Sequence, residues 1–189
     1  MPFKVLFNNQ ERKDLAMKRL LVVVDYQNDF VDGALGFKGA ELISSNIAKL
    51  IKEFRNRGDE VVFTYDTHDE DYLNTTEGIN LPVPHCLKGS DGWEFYPEIN
   101  ELIGDSKIFE KPGFGSKELG HYIENNDFEE IYLVGLVSDI CVFCNAIIAK
   151  ASASPYAKIK IVRNATSSFD LEMQEKSFDV LKHLHIEII

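Results

Sequence analysis

The 189-residue sequence predicts a three-layer α/β/α domain built on a parallel sheet, and three features of its pattern carry that expectation. Short apolar segments rich in branched residues alternate along the chain with segments of helical periodicity, the order that lays strands side by side through right-handed crossovers. The first strand segment is apolar at successive positions rather than at every second one, as a strand covered on both faces requires. At 44% hydrophobic residues, the chain is long enough for one substantial core and short for two.

Residues 1–16 are polar and aperiodic, and they are expected to form an extension outside the fold, with residues 17–189 as a single domain. Leu20 to Val24 reads as the first strand. Ile43, Ile47, Leu50, Ile51 and Phe54 then recur at helical spacing, and Gly58 stands where a helix stops. A second strand, Glu60 to Tyr65, follows at once. From Asp66 to Tyr96 the chain holds Gly78, Pro82, Pro84, Gly89 and Gly92 without sustained periodicity. Long irregular excursions of this kind commonly carry function.

The alternation resumes with a short strand near Lys107 to Glu110 and a helix opening near Ser116, with Leu119, Tyr122 and Ile123 on one face. Ile131 to Leu136 reads as a strand, Asp139 to Ala151 as a helix, Lys158 to Val162 as a strand and Asp170 to His183 as a helix. Ile186 to Ile189 is placed as a last edge strand.

Composition removes several classes of function. The formal charge is −11, and no block of Lys or Arg forms the positive stripe that phosphate neutralisation needs, so no nucleic-acid partner is expected. The most apolar stretch, Ile131 to Ala149, is interrupted by Ser138, Asp139 and Asn145, and a central carboxylate is costly in lipid, so no membrane span is expected. Glu11, Arg12, Lys13 and Asp14 occupy the place of a signal's apolar core, and the cysteines number three. A reducing, cytoplasmic setting is the expectation.

In open parallel sheets ligands collect beyond the carboxyl ends of the strands. Asp25, Asp66, Lys111 and Cys141 all fall there, each at or just after a strand segment. Cys141 lies in Gly135-Leu136-Val137-Ser138-Asp139-Ile140-Cys141-Val142, a strand-to-helix turn whose free N–H groups and helix dipole favour a thiolate and suit an oxyanion. The position alone fits a buried structural cysteine equally well. Asp25 ends an apolar strand, a costly place for a carboxylate unless it is paired or working, and Lys111 offers the positive partner. A structural ion pair is the plain alternative, but with Cys141 the two form the base, cation and thiol that an activated nucleophile requires.

Asp66-Thr67-His68 closes the second strand, and residues two apart in extended chain point to the same side, where they can grip one ion. Glu77 and His85 lie on the loop beyond. A mixed oxygen and nitrogen set suits a divalent Zn, Mn or Fe ion; a solvated loop with two histidines is the alternative. Cys141-Val142-Phe143-Cys144 is also a C-x-x-C at a helix start, the mark of a thiol oxidoreductase when read in isolation. Cys86, His121, His183 and His185 read as bystanders.

Asp25-Tyr26-Gln27-Asn28-Asp29-Phe30, Lys111 with Pro-Gly-Phe-Gly-Ser after it, and Gly-Leu-Val-Ser-Asp-Ile-Cys-Val resemble the three signature segments of the nicotinamidase and isochorismatase-like cysteine hydrolase superfamily. The resemblance runs from Met17 to the C-terminus. It implies a six-stranded parallel sheet, Asp25, Lys111 and Cys141 as catalytic triad, and a non-proline cis peptide between Val137 and Ser138. The N–H groups of Val137 and Cys141 are the oxyanion hole it implies. Asp66, His68, Glu77 and His85 match a metal set of one bacterial type of nicotinamidase, the last with one extra residue in the loop.

Within the superfamily, retention of the thiol and of all four ligands favours a nicotinamidase, an enzyme of NAD metabolism. Hydrolysis of another small amide or carbamoyl compound, or a binding protein that keeps the fold without catalysis, are the competing readings. Phe30 matches an aromatic residue that stacks on the pyridine ring. Phe114 stands where the family has Tyr, and Leu81, Pro82, Val83 and Pro84 replace an opposing aromatic. The resemblance further implies a small-molecule substrate and a homo-oligomer.

Overall fold

In the computed structural model, which describes residues 17–189, six strands form one sheet. They are β1 Arg19–Val24, β2 Glu60–Asp66, β3 Ile108–Lys111, β4 Glu130–Leu136, β5 Lys158–Ser167 and β6 Glu187–Ile188. The order is β3-β2-β1-β4-β5-β6, and every neighbouring pair is parallel. The helices are α1 Asn28–Val31, α2 Ser44–Asn56, α3 Thr76–Asn80, α4 Pro97–Asn100, α5 Lys117–Glu124, α6 Cys141–Ser152 and α7 Leu171–His183. The expected extension, residues 1–16, lies outside the described residues.

The central strand shows why its sequence carries no alternation. Leu20 through Val24 are all at 0% exposure, because helices cover both faces. Leu21, Val23, Phe63 and Val134 pack with Ile47, Ile51 and Phe54 of α2 and Ile99 of α4. Leu20, Val22, Val62 and Leu133 pack on the other face with Leu119 and Ile123 of α5, Val142 and Ala146 of α6, and Phe178 and Leu181 of α7. Each of these Val, Leu, Ile and Phe side chains contributes about 1.5–3 kcal/mol on burial. Among the described residues, no helix is long and apolar enough to cross a membrane.

The strand order reverses between β1 and β4, which opens the crevice where doubly wound sheets bind ligands. Gly135 lets the two strands close there: its φ is +107°, and a Cβ on it would stand 2.0 Å from the Val24 carbonyl oxygen. Asp25 follows immediately, itself at φ 45°, a left-handed conformation uncommon for a residue with a side chain.

Two boundaries differ from expectation by two residues or more. Strand β5 continues to Ser167 rather than ending at Val162, because its register against β4 shifts between Leu133 and Gly135 and pairs Thr166 with Gly135 and Ser167 with Leu136. Arg163 and Asn164 break the apolar run there and conceal the continuation. Helix α6 begins at Cys141 rather than Asp139, since residues 137–140 are used as a turn in which Ile140 N–H donates to the Val137 carbonyl at 3.2 Å.

Candidate active site

The sheet register brings the polar rim residues together. Asp66 and Lys111 are direct partners across β2 and β3, and Val24, the residue before Asp25, is the partner of Thr64. Lys111, 1% exposed, is the hub. Its Nζ stands 2.7 Å from Asp25 Oδ2 and 3.1 Å from Asp66 Oδ1. It also donates to the Gly113 carbonyl at 2.9 Å and to Cys141 Sγ at 3.7 Å. Thr64 Oγ1 donates to the second oxygen of Asp25 at 2.6 Å. The three residues expected as base, cation and thiol therefore meet around one ammonium, buried at the switch point.

Burial decides the resting protonation. It pushes the Asp25 carboxyl above its ordinary 3.8; Lys111 opposes this, and the charge of Asp66 adds to it. The Cys141 thiol is pushed well above 9.0 by burial, against the pull of Lys111 and with the push of Asp25 and Asp66. Burial alone would lower Lys111, but Asp25, Cys141 and Asp66 outweigh it and raise the ammonium well above 10.5. The helix start does not by itself ionise the sulfur, contrary to what its sequence position suggests. A protonated thiol beside a carboxyl of strengthened basicity is the arrangement a proton transfer needs.

The turn between β4 and α6 carries the thiol. Among the described residues no acceptor takes the N–H of Val137 or of Cys141, and both residues line the cavity described below. The cis peptide joins Leu136 to Val137, which corrects the expected bond between Val137 and Ser138. The polar groups of that second peptide point apart: Ser138 N–H donates to the Ser167 carbonyl at 2.9 Å, and the Val137 carbonyl accepts from Ile140 and Val142 at 3.2 and 3.1 Å. Opposed N–H and C=O directions belong to a trans peptide.

Beside this group stand the four expected metal ligands. One ligand atom from each of Asp66, His68, Glu77 and His85 lies within 4.8 Å of the others. His68 Nε2 is 3.1 Å from Asp66 Oδ2, and His85 Nε2 is 3.4 Å from the same oxygen and 3.5 Å from Glu77 Oε1. His85 Nδ1 is held at 2.8 Å by the Val83 carbonyl, which directs Nε2 inward, the usual outer support of a metal-binding imidazole. Burial would lower His85, but its bonds to Asp66 and Glu77 outweigh this and raise it to about 9. In Asp66, burial is overcome by Lys111 and the two imidazoles, which hold the carboxyl well below its usual range. Two carboxylates and two imidazoles converging in a buried space fit a divalent cation.

A cavity of about 340 Å³ joins the two groups, lined by Cys141 and Val137 on one side and by Asp66, Glu77 and His85 on another. Phe30 and Phe114, the expected ring contacts, both line it, and the Phe30 ring meets His85 edge-on at 5.6 Å. Sequence reasoning missed the outer wall: Leu35, Phe37, Ile140 and Phe169 come from loops without periodicity.

It also missed two braces. Gln27 donates to the Asp66 carbonyl at 2.9 Å and accepts the Asp66 N–H at 2.8 Å. Asn145 accepts the Ser116 N–H at 3.0 Å and donates to the Cys141 carbonyl at 2.8 Å, fixing the segment after Lys111 to α6. A buried amide in an apolar helix was the available signal. Cys86, Cys141 and Cys144 are free thiols. His121, His183 and His185 lie on the surface.

A parallel sheet covered on both faces, with an acid, a lysine and a thiol gathered at its switch point, defines a cysteine-dependent α/β hydrolase. The family model described as an isochorismatase domain matches residues 19–189, and the chain belongs to the isochorismatase family. It is 32% identical over 169 residues to the isochorismatase family protein PncA of Bacillus subtilis, covering 82% of this chain and 90% of that one. It is 26% identical over 216 residues to the nicotinamidase of Saccharomyces cerevisiae, covering 90% and 99%. The crystal structure of the nicotinamidase/pyrazinamidase PncA from Bacillus subtilis superposes with a TM-score of 0.81 at 30% identity, over 91% of this chain and 99% of that one.

Proposed function

We propose that this protein is a nicotinamidase, which hydrolyses nicotinamide to nicotinate and ammonia through a thioester on Cys141. One observation carries the reading: Lys111 Nζ touches Asp25, Asp66 and Cys141 together, so the thiol, its proposed base and one of the converging metal donors meet at a single ammonium, and the cavity beside it is lined by Cys141, Asp66, Glu77 and His85. The names of the relatives supply the substrate.

Asp25 takes the proton of the Cys141 thiol, and the sulfur attacks the amide carbon. The N–H groups of Val137 and Cys141 receive the developing oxyanion. Asp25 returns the proton to the nitrogen, which leaves as ammonia rather than as an amide anion. A water gives one proton to Asp25 while its oxygen attacks the thioester carbon; the C–S bond breaks, Asp25 returns that proton to the departing Cys141 sulfur, and the acid leaves as nicotinate. Lys111 stays charged throughout and compensates whichever of Asp25 and Cys141 is anionic. Asp66, His68, Glu77 and His85 would hold a divalent Zn, Mn or Fe ion, which when bound supplies a fixed acceptor site for the pyridine nitrogen and so orients the carboxamide. Phe30 and Phe114 flank the ring.

The test is a coupled ammonia assay with nicotinamide, pyrazinamide and aliphatic carbamoyl compounds. Nicotinamide is expected to turn over, to lose activity when the protein is treated with a chelator, and to regain it on addition of a divalent cation. Turnover confined to the aliphatic carbamoyl compounds would remove the nicotinamidase assignment. The C-x-x-C alternative is separated by Cys144→Ser. Cys144 is the half-buried member of the pair and makes no hydrogen bond to Lys111 among the described residues, so kcat is expected to stay within about twofold. A variant that loses ammonia release together with a thiol–disulfide exchange activity of the parent would favour an oxidoreductase.

A further inference from the structure

Asp29 lies in the first signature segment, yet neither the proton transfers nor the metal set uses it. Its carboxylate joins two walls of the site. Oδ2 accepts the backbone N–H of Cys86 at 2.7 Å, and Oδ1 accepts the N–H of Ala34 at 3.0 Å. Its own N–H donates to the Gly92 carbonyl at 2.9 Å, and its carbonyl accepts from Leu35 at 2.8 Å. Cys86 adjoins His85 and sits at φ 46°, a strained conformation for a residue with a side chain, which a charged acceptor on its N–H helps to hold. Leu35 and Gly36, just beyond Ala34, line the cavity.

The close fit extends to Gly92, where a Cβ would stand 2.2 Å from Asp29 Oδ2. One half-buried carboxylate thus ties the turn that presents His85 to the loop that walls the pocket.

We infer that Asp29 is a positioning residue for the cation site: by clamping the Cys86 N–H it fixes His85 Nε2 toward Asp66 and Glu77, and with it sets the affinity for a divalent ion. The inference uses the proposed cation site but not the identity of the substrate. Asparagine keeps the shape of Asp29 and turns one acceptor into a donor, so one of two backbone N–H groups faces another N–H.

The measurements are Zn²⁺ affinity of the chelator-treated protein, by competition with a chromophoric chelator, and native-state alkylation of Cys86 by iodoacetamide, read by mass spectrometry. Cys86 is at 0% exposure, so its alkylation reports opening of the turn without metal or substrate. Asp29→Asn is expected to weaken Zn²⁺ about tenfold or more and to speed Cys86 alkylation about tenfold. Saturating cation should restore most of kcat, which a general loss of structure would not allow.

Asp32→Asn, an exposed carboxylate on the same loop, should change neither quantity. If Asp29→Asn does not fold by circular dichroism, Gly92→Ala displaces the carboxylate without removing it and is expected to shift both quantities the same way. Wild-type Zn²⁺ affinity and wild-type alkylation in the folded variant, or equal losses in Asp32→Asn, overturn the inference. Faster alkylation with unchanged Zn²⁺ affinity refutes the link to the cation site while leaving the nicotinamidase reading standing.

Discussion

Asp25→Asn releases ammonia about a thousandfold more slowly than the parent protein, or slower still, while its melting temperature changes by only a few degrees. The proposed cycle asks one group to accept the thiol proton, deliver it to the leaving nitrogen and accept a proton from water, and general acid–base work at a single step is worth roughly 10²–10⁴-fold. An amide can do none of the three. The fold should tolerate the change because Lys111 keeps Asp66 and the Gly113 carbonyl, and the amide oxygen still accepts from Thr64 Oγ1. Single-turnover ammonia release and thermal unfolding check the two halves separately; a rate near that of the parent in a folded variant removes Asp25 from the proton path.

Lys111→Met has the largest combined effect. It strips the lysine ammonium shared by two buried carboxylates, Asp25 and Asp66, at 0% and 2% exposure, and breaking a buried pair in this way costs about 3–5 kcal/mol. The pH dependence has a definite sign. Burial already raises the Asp25 carboxyl above 3.8 with Lys111 opposing, so loss of Lys111 raises it further. A raised carboxyl favours the folded state below its unfolded value and loses that contribution as pH rises through the folded value. Urea unfolding in the presence of chelator should therefore show a deficit against the parent that is larger at pH 8 than at pH 5. Ammonia release should be lost at both. An equal deficit at the two pH values would mean that Asp25 and Asp66 are not left as uncompensated charges.

Much of this site is legible in the sequence because parallel sheets impose a rule: residues just past the strand ends meet, however distant in sequence. That rule alone gathers Asp25, Asp66, Lys111 and Cys141. What escaped depends on facts that a linear pattern does not encode. The register shift between β4 and β5 lengthens the last long strand and carries Phe169 to the cavity, and nothing periodic marks Phe169 or Phe37. The protonation of the thiol depends on its burial among apolar neighbours at the cavity wall, and position at a helix start pointed the other way. The placement of the cis bond came by resemblance and fell one residue late, since the two neighbouring peptides differ only in where their N–H and C=O groups find partners. Gln27 and Asn145 could have been singled out as amides set among apolar neighbours, a composition that usually marks a backbone brace.

Asp66 spends its two oxygens in opposite directions, one on Lys111 at 3.1 Å and the other on His68 at 3.1 Å. Attempts to retune the ion by exchanging ligands should therefore begin at His68, Glu77 or His85. A substitution at Asp66 would deprive the nucleophile's cation of a counter-charge in the same stroke, so a changed metal preference and a damaged thiol would arrive together and could not be told apart.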